Sequence, residues 1–253
     1  MKNPAASVRQ RLLNLSREQQ RPFQEVLQFF VMERFLYRLS QSNHADRFIL
    51  KGALMLQVWD SPLSRPTMDI DMLGRIDNDP ETLLDRIRDV LELETNDDGI
   101  EFNVDSLTTE LITEHADYEG VRIHFNAALD TARIRMQLDI GFGDVVTPQP
   151  TRLPYPVLLE FPVPELLCYS RESTIAEKFQ TMASLGALNS RMKDFYDIWL
   201  LSRQFNFEPG ALKEAISATF GKRGTQLAAQ DAHCSVISLL LKNNHSGRLL
   251  SAG

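Results

Sequence analysis

Two aspartates lie two residues apart inside an apolar run, and this pair restricts the possible fold more than any other feature of the sequence. The run, Met68–Leu73, reads MDIDML and places Asp69 and Asp71 on either side of Ile70. A carboxylate buried among such side chains is costly unless something compensates its charge. On a strand, residues two apart point to the same face, so the two carboxylates project together while Ile70 enters the core. The run therefore predicts a strand whose polar face needs a counter-ion.

A strand, a glycine turn and a helix precede the aspartate pair. Residues 48–50 are predicted to form a short strand, and Gly52 turns the chain into a helical stretch over 53–59. A glycine at such a turn lets a phosphate approach the backbone, and the N-terminus of a helix offers free N–H donors. The turn therefore predicts nucleotide contacts at Lys51, Gly52 and Ala53.

A second strand pattern supplies a third carboxylate. Residues 133–140 alternate cleanly, with four apolar side chains on one face and Asp139 on the other. Clustered carboxylates ionise together only if a cation lies between them. Mg²⁺ suits such a site, because it binds carboxylates together with substrate phosphates. We therefore expect Asp69, Asp71 and Asp139 to hold Mg²⁺ or Mn²⁺ and, through it, an NTP. A satisfied aspartate pair on an edge strand, beside an ordinary turn glycine, is the simpler alternative.

The remaining pattern divides the chain into three parts. Residues 1–147 are predicted to contain two N-terminal helices, a helix at 80–94 and a strand at 121–129. The same part contains the strands and the glycine turn described in the preceding paragraphs. Residues 148–164 hold six prolines, which favours an extended strap over a helix or a central strand. Residues 165–253 are predicted to form a helical C-terminal domain, with a capping box at 174–177, a stop at Gly186, and helices from about 190 to 203 and from 210 to 220.

Two helical stretches of this third part carry charged residues of interest. Lys178 follows the predicted cap by about one turn, where the helix dipole disfavours a cation, and this favours an external anion such as a triphosphate. A solvated surface lysine is the simpler alternative. In the next helix, Met192, Phe195, Tyr196 and Trp199 have the spacing of a core stripe. Charged residues then occupy the neighbouring faces, where surface salt bridges are the simpler interpretation: Arg191, Lys193, Asp194 and Asp197.

The charge of the chain is segregated. The formal net charge is −7, yet residues 1–51 contain nine Lys and Arg against four Asp and Glu. Residues 69–119 contain seventeen acidic and three basic side chains. An acidic protein can bind a polyanion through a basic end. If the partner is a polyanion such as RNA, its phosphates are expected to contact Arg9, Arg11, Arg17 and Arg21. The charge counts alone favour the simpler interpretation of ordinary charged helix surfaces.

The cysteines and the hydropathy indicate a soluble cytoplasmic protein. Cys168 and Cys234 lack CxxC or zinc spacing, and each has the pattern of a small buried hydrophobe in a reducing compartment. No stretch approaches the 18 or so apolar residues that span a bilayer. We expect no membrane partner.

Several motifs together resemble the AbiEii family of nucleotidyltransferase toxins. They are FILKGALMLQVWD, SRPTMDIDMLG, QLDIGFGD, IAEKFQTMASLG and NSRMKDFYDIWLL. The resemblance implies an α+β fold, with a polymerase-β-like nucleotidyltransferase core (a small mixed sheet with helices) and an α-helical C-terminal part. It also implies transfer of a nucleotide from an NTP to an acceptor, the 3′ end of tRNA in studied relatives. The setting it implies is a type IV toxin–antitoxin or abortive-infection system, with a cognate antitoxin as partner.

The resemblance assigns roles to individual residues. Asp69 and Asp71 match the metal-binding pair, with Arg65 and Thr67 in the approach to the strand. The helical motifs add Lys178 and Asp194 as catalytic residues, with Lys193 and Asp197 beside Asp194 in nucleotide binding. Two positions depart from the pattern: Ala53 replaces the serine of the Gly-Ser phosphate turn, and Met68 replaces the usual basic residue before Asp69.

Two alternatives to RNA modification follow from the same residues. Nucleotidyl transfer to a small molecule or to a protein would use the same metal site. A catalytically weak nucleotide-binding protein that acts through protein interaction is favoured by Ala53 and Met68, but the intact Asp69, Asp71 and Lys178 argue against it.

Overall fold

The computed structural model describes residues 4–61, 66–95, 97–113, 119–186 and 189–226. The α-helices in these ranges are α1 (Pro4–Glu18), α2 (Phe23–Gln41), α3 (Met55–Val58), α4 (Pro80–Glu92), α5 (Arg171–Leu185), α6 (Met192–Gln204) and α7 (Pro209–Lys222). The strands are β1 (Phe48–Lys51), β2 (Ile70–Gly74), β3 (Ile100–Thr113), β4 (Glu119–Leu129), β5 (Ala132–Phe142), β6 (Thr151–Pro154) and β7 (Glu165–Cys168). None of the helices within these ranges is long and apolar enough to cross a membrane.

The described residues form two compact units. The first contains those of 1–143 and 151–168, and the second contains those of 144–150 and of the chain from residue 169 onward. The first unit therefore holds all seven strands with α1 to α4, and the second holds α5, α6 and α7.

One mixed sheet organises the first unit. Its strands lie in the order β3-β4-β5-β2-β1-β7-β6. The pairs β2–β5 and β1–β7 are parallel, and the other pairs are antiparallel. The mixed sheet with its helices confirms the predicted α+β class. Within the predicted proline-rich strap, Thr151–Pro154 pairs as the edge strand β6, a position that tolerates proline because one side of the strand needs no partner.

Helix α2 packs against one face of this sheet, which we call the inner face. Phe35 of α2 contacts Phe125 of β4, with ring centroids 5.4 Å apart, and Phe102 of β3 at 6.5 Å. The inward residues of β2 and β5, such as Ile70 and Leu138, are fully buried in the same core. Strict alternation then directs their sequence neighbours to the opposite, outer face.

Buried charges attach the segment before β7 to α2. Glu33 accepts a hydrogen bond from the backbone N–H of Leu158 at 2.7 Å, and Arg34 donates to the carbonyl of Pro162 at 3.0 Å. Arg38, four residues further along α2, pairs with the buried Asp98 at 2.9 Å. Two of the basic side chains counted in the N-terminal segment, Arg34 and Arg38, are thus internal and contribute little to a basic surface.

Within its described residues, the second unit contains three helices. The rings of Phe179 in α5 and Phe220 in α7 lie 5.3 Å apart. Arg223 donates to both carboxylate oxygens of Asp144 at 3.0 Å and to Gln180 at 2.7 Å, so it fixes the start of this unit to its helices.

Several predicted boundaries were wrong, for local reasons. Helix α5 begins at Arg171 and its cap is Ser170, whose hydroxyl accepts from the backbone of Ser173, so the capping box predicted at 174–177 is not the start. Strand β3 was not predicted at all, because a register irregularity between Asn103 and Thr108 interrupts its alternation. Helix α4, the strands β4 and β5 and the stop at Gly186, with φ of +52°, confirm their predictions.

Candidate active site

Three carboxylates meet on the outer face of the sheet. One oxygen each of Asp69, Asp71 and Asp139 lies within 4.8 Å of the others. Asp71 in β2 and Asp139 in β5 are direct neighbours in the parallel ladder. Asp69 precedes the first residue of β2, so the predicted strand begins later than expected, yet its carboxylate still joins the cluster. A set of three carboxylate oxygens at this spacing fits a Mg²⁺ or Mn²⁺ ion, which prefers oxygen ligands.

A row of charged side chains crosses five strands at this point. Strand pairing places Lys51, Asp71, Asp139, Arg122 and Glu110 side by side, in the strand order β1-β2-β5-β4-β3. Residues in register across a sheet share a face, so these five side chains lie on the outer face together. The two central aspartates are therefore flanked by a cation on each side.

Arg122 holds the third carboxylate in place. Its Nε and Nη2 atoms donate to the two oxygens of Asp139, each at 2.8 Å, and Nη1 donates to Glu110 at 3.2 Å. These bonds to Asp139 raise the pKa of Arg122 above its ordinary range. Gln137 also donates to Asp139, at 3.2 Å. Asp139 is thus fixed in one orientation by two neighbouring side chains.

The sequence interpretation missed Arg122, although a signal was present. The predicted strands at 121–129 and 133–140 are separated by a very short turn, in which Asp130 has φ of +54°. A hairpin this tight fixes the register of its strands. It would have placed Arg122 opposite Asp139, as the structure does.

Gly52 makes room for the Asp71 carboxylate. The residue has φ of +72°, and a Cβ atom there would lie 2.0 Å from Oδ2 of Asp71. Any other residue would therefore be strained and would also collide with a member of the acidic cluster. The prediction concerned phosphate approach, whereas the contact that the structure shows is with the carboxylate.

The other residues predicted near the nucleotide have different surroundings. Thr67 donates a hydrogen bond to Oδ1 of Asp69 and so orients that carboxylate. Lys51 ends β1 as the ladder partner of Asp71, and Ala53 is buried. Gly52 opens a 3₁₀ turn and α3 has only four residues, so little of the expected helix dipole is available. Arg65 lies outside the described residues.

The helical motifs form a separate cluster in the second unit. Nζ of Lys178 in α5 lies 3.1 Å from a carboxylate oxygen of Asp194 and 2.7 Å from one of Asp197, both in α6. Arg191 also lies 3.0 Å from Asp194. Because α5 begins at Arg171, Lys178 is about two turns from the helix start, and the argument from the dipole does not apply. The catalytic roles of Lys178 and Asp194 and the nucleotide-binding roles of Asp197 and the exposed Lys193 stay predictions.

The predicted core stripe of α6 was wrong. Met192, Tyr196 and Trp199 are 69%, 36% and 46% exposed, whereas Asp194 and Asp197 are only 2% and 1% exposed. The two aspartates are therefore buried ion-pair partners, and the interpretation as surface salt bridges was also wrong.

The arginines predicted to bind RNA have intramolecular contacts. Arg9 lies over the ring of Phe23 at 5.7 Å, and Arg11 lies over Phe161 at 5.9 Å. Arg21 pairs with Glu25 at 2.8 Å, and Arg17 is exposed near the end of α1. Helix α1 packs with α2 in the core on the inner face, whereas the acidic cluster lies on the outer face. Their contact with RNA stays a prediction.

The fold has counterparts among solved structures. A candidate nucleotidyltransferase from H. pylori aligns with 88% of this chain and 96% of its own, with a TM-score of 0.51 and 13% identity. The H. pylori protein JHP933 aligns with 88% of this chain and 93% of its own, with a TM-score of 0.51 and 12% identity. At these identities the likeness concerns the fold alone, which the chain shares with these two H. pylori proteins.

The family follows from the sequence match. The family model described as "Nucleotidyl transferase AbiEii toxin, Type IV TA system" matches residues 34–249, and the chain belongs to this family. It is therefore a nucleotidyltransferase toxin of a type IV toxin–antitoxin system. No curated protein matches the chain.

Proposed function

We propose that this nucleotidyltransferase uses Mg²⁺ to transfer a nucleotide from an NTP to the 3′ end of an RNA, with tRNA as the acceptor. The single observation that carries the proposal is the cluster of Asp69, Asp71 and Asp139 on the outer face, with their ligand atoms within 4.8 Å of one another. The resemblance to studied relatives supports tRNA as the acceptor. Growth arrest by tRNA modification would provide phage defence, and the cognate antitoxin would counteract it.

The residues of the site suit an in-line displacement. Asp69, Asp71 and Asp139 would hold the metal, with Thr67 orienting Asp69 and Arg122 orienting Asp139. When bound, Mg²⁺ would neutralise the phosphate charge and activate the attacking hydroxyl. The hydroxyl oxygen bonds to the α-phosphorus, the bond from that phosphorus to the β-phosphate oxygen breaks, pyrophosphate leaves with the electron pair, and the hydroxyl proton passes to solvent.

The order of the strands suggests where each substrate lies. Gly52 and Lys51 are on the β1 side of the cluster, and Asp139 is on the β5 side. In an in-line reaction, the attacking oxygen and the leaving group lie on opposite sides of the transferred phosphorus. We assign the triphosphate to the β1 side and the acceptor hydroxyl to the β5 side.

The test is transfer by the purified protein with Mg²⁺, each labelled NTP in turn, and total RNA, small metabolites or cell protein as acceptor. Wild type should label RNA and Asp69→Ala should not, because a metal ligand is lost while the fold is kept. Circular dichroism and thermal unfolding of the variant serve as the control for folding. Labelling of only small molecules or protein would reject the RNA acceptor, and full activity of a folded Asp69→Ala variant would reject the metal site.

A further inference from the structure

The outer face of strand β5 continues away from the acidic cluster as a basic and polar line. Counting back from Asp139, its outward residues are Gln137, Arg135 and Arg133. Both arginines are exposed, and the six residue-to-residue steps from Asp139 to Arg133 span about 20 Å. The line is thus long enough for several nucleotides and begins at the carboxylate next to which we place the acceptor hydroxyl.

Strand β4 widens this line with polar side chains that can donate hydrogen bonds. His124 lies opposite Gln137 and Asn126 lies opposite Arg135. Asn126 in turn faces Asn103 of β3. Amide groups next to arginines suit contacts with phosphates, sugars and base edges.

A groove of about 600 Å³ lies at the far end of the line. Its polar lining comprises Arg133, Asn126, Asn103 and Glu101, and Phe102, Ala127 and Ala128 complete its wall. A concave site with an arginine, two amides and a carboxylate can hold one nucleotide and contact its base.

Acidic side chains mark the outer limit of the line. Glu101 and Glu110 lie on β3, the edge strand, whereas Arg133 and Arg135 lie two strands further in. A polyanion would be repelled from β3 and attracted to β5. Among the described residues, the ladder of β5 with β2 starts only at Leu138, so Ala132–Gln137, with the exposed Arg133 and Arg135, extends beyond the first residue of β2.

We propose that the outer face of β4 and β5, from Asp139 to the groove at Arg133, binds the single-stranded 3′ segment of the RNA acceptor. This inference rests on the proposed function and adds the surface that the acceptor occupies. Arg135 and Arg133 contact successive phosphates, the amides of Asn126 and Asn103 contact a nucleotide in the groove, and the terminal hydroxyl lies at Asp139. This surface is distinct from the arginines of α1, whose contact with RNA stays a separate prediction.

The test compares two double variants that remove the same charge. Arg133→Ala with Arg135→Ala removes both arginines of the line, and Arg47→Ala with Arg75→Ala removes two exposed arginines elsewhere in the first unit. Binding is measured without NTP, by anisotropy of a single-stranded RNA oligonucleotide labelled at its 5′ end, across a salt series. Transfer to the same RNA and the KM for NTP are measured in parallel.

We expect the first variant to bind RNA roughly tenfold more weakly than wild type. The slope of log affinity against log salt concentration should be smaller in magnitude by about 1.4. Its KM for RNA should rise by a similar factor, while its KM for NTP and its turnover at saturating RNA stay unchanged. The control should behave as wild type. If the first variant and wild type bound RNA with equal affinity and equal salt dependence, the inference would be overturned. RNA transfer by wild type would in that case still support the proposed function. If wild type neither bound nor modified RNA, both would be rejected.

Discussion

Lys178 contacts two carboxylates that are almost completely buried. Asp194 and Asp197 are 2% and 1% exposed, and both Lys178 and Arg191 lie within ion-pair distance of Asp194. Leaving a buried charge without its partner is strongly destabilising, typically by about 3–5 kcal/mol. The burial of its two ion-pair partners favours a structural role for Lys178, whereas the resemblance favours a role at the triphosphate.

The variant Lys178→Ala separates these roles. Because Asp194 and Asp197 would each lose an ion-pair partner, we expect a marked fall in the unfolding temperature, partly restored by adding Asp197→Asn. Thermal unfolding of the single and double variants measures this directly. Wild-type unfolding together with a raised KM for NTP would show instead that Lys178 acts on the nucleotide, as the sequence predicted.

Helix α6 presents its aromatic side chains outward and its aspartates inward. Tyr196 and Trp199 contact each other at 5.9 Å between ring centroids, and Trp199 is 46% exposed. Leu201, on the opposite side, is fully buried. The side of the helix that stabilises the fold is therefore the one that contains the acids.

This orientation predicts that, of two substitutions in α6, the one that removes the smaller side chain destabilises the protein more. Leu201→Ala should cost about 2–5 kcal/mol of unfolding free energy, because it removes buried methyl groups and leaves a cavity. Trp199→Ala, despite the larger side chain removed, should cost only about 1 kcal/mol, since half of the ring is already in solvent. Urea unfolding of both variants provides the comparison. A greater loss of unfolding free energy for Trp199→Ala than for Leu201→Ala would mean that the aromatic stripe packs in the core.

The first unit contains an acid whose ionisation is linked to the stability of the whole molecule. Burial raises the pKa of Glu33 from 4.5 to about 7, and the adjacent Arg34 offsets only part of this effect. Between these two pH values the folded state retains a proton that the unfolded state has lost. Stability should therefore fall as the pH rises from 4.5 to about 7.

The control for this linkage is Glu33→Gln, which keeps the shape of the side chain and removes the titration. Urea midpoints of wild type and variant are measured across that pH window. The wild-type midpoint should decrease with pH more steeply than that of Glu33→Gln. Parallel pH profiles would mean that Glu33 has the same pKa in the folded and unfolded states.

Local pattern was sufficient to predict the elements nearest the site. The alternation of residues 133–140 identified β5 and the outward direction of Asp139, and the Asp-Ile-Asp spacing brought Asp69 and Asp71 to one place. Gly186 marked the end of α5. These predictions depend only on the geometry of a single strand or helix, in which side-chain direction repeats every 2 or 3.6 residues.

Contacts between elements were not contained in those periodicities. The pairing of Arg122 with Asp139 depends on strand register, and the close approach of Gly52 to Asp71 depends on the alignment of β1 with β2. In α6 each of two faces carries residues that could be buried, one aromatic and one acidic. Periodicity favoured burial of the aromatic face. The structure buries the acidic face, whose aspartates form ion pairs with Lys178. Periodicity defines the faces of a segment, but the neighbour that packs against it selects which face is buried and which side chains meet.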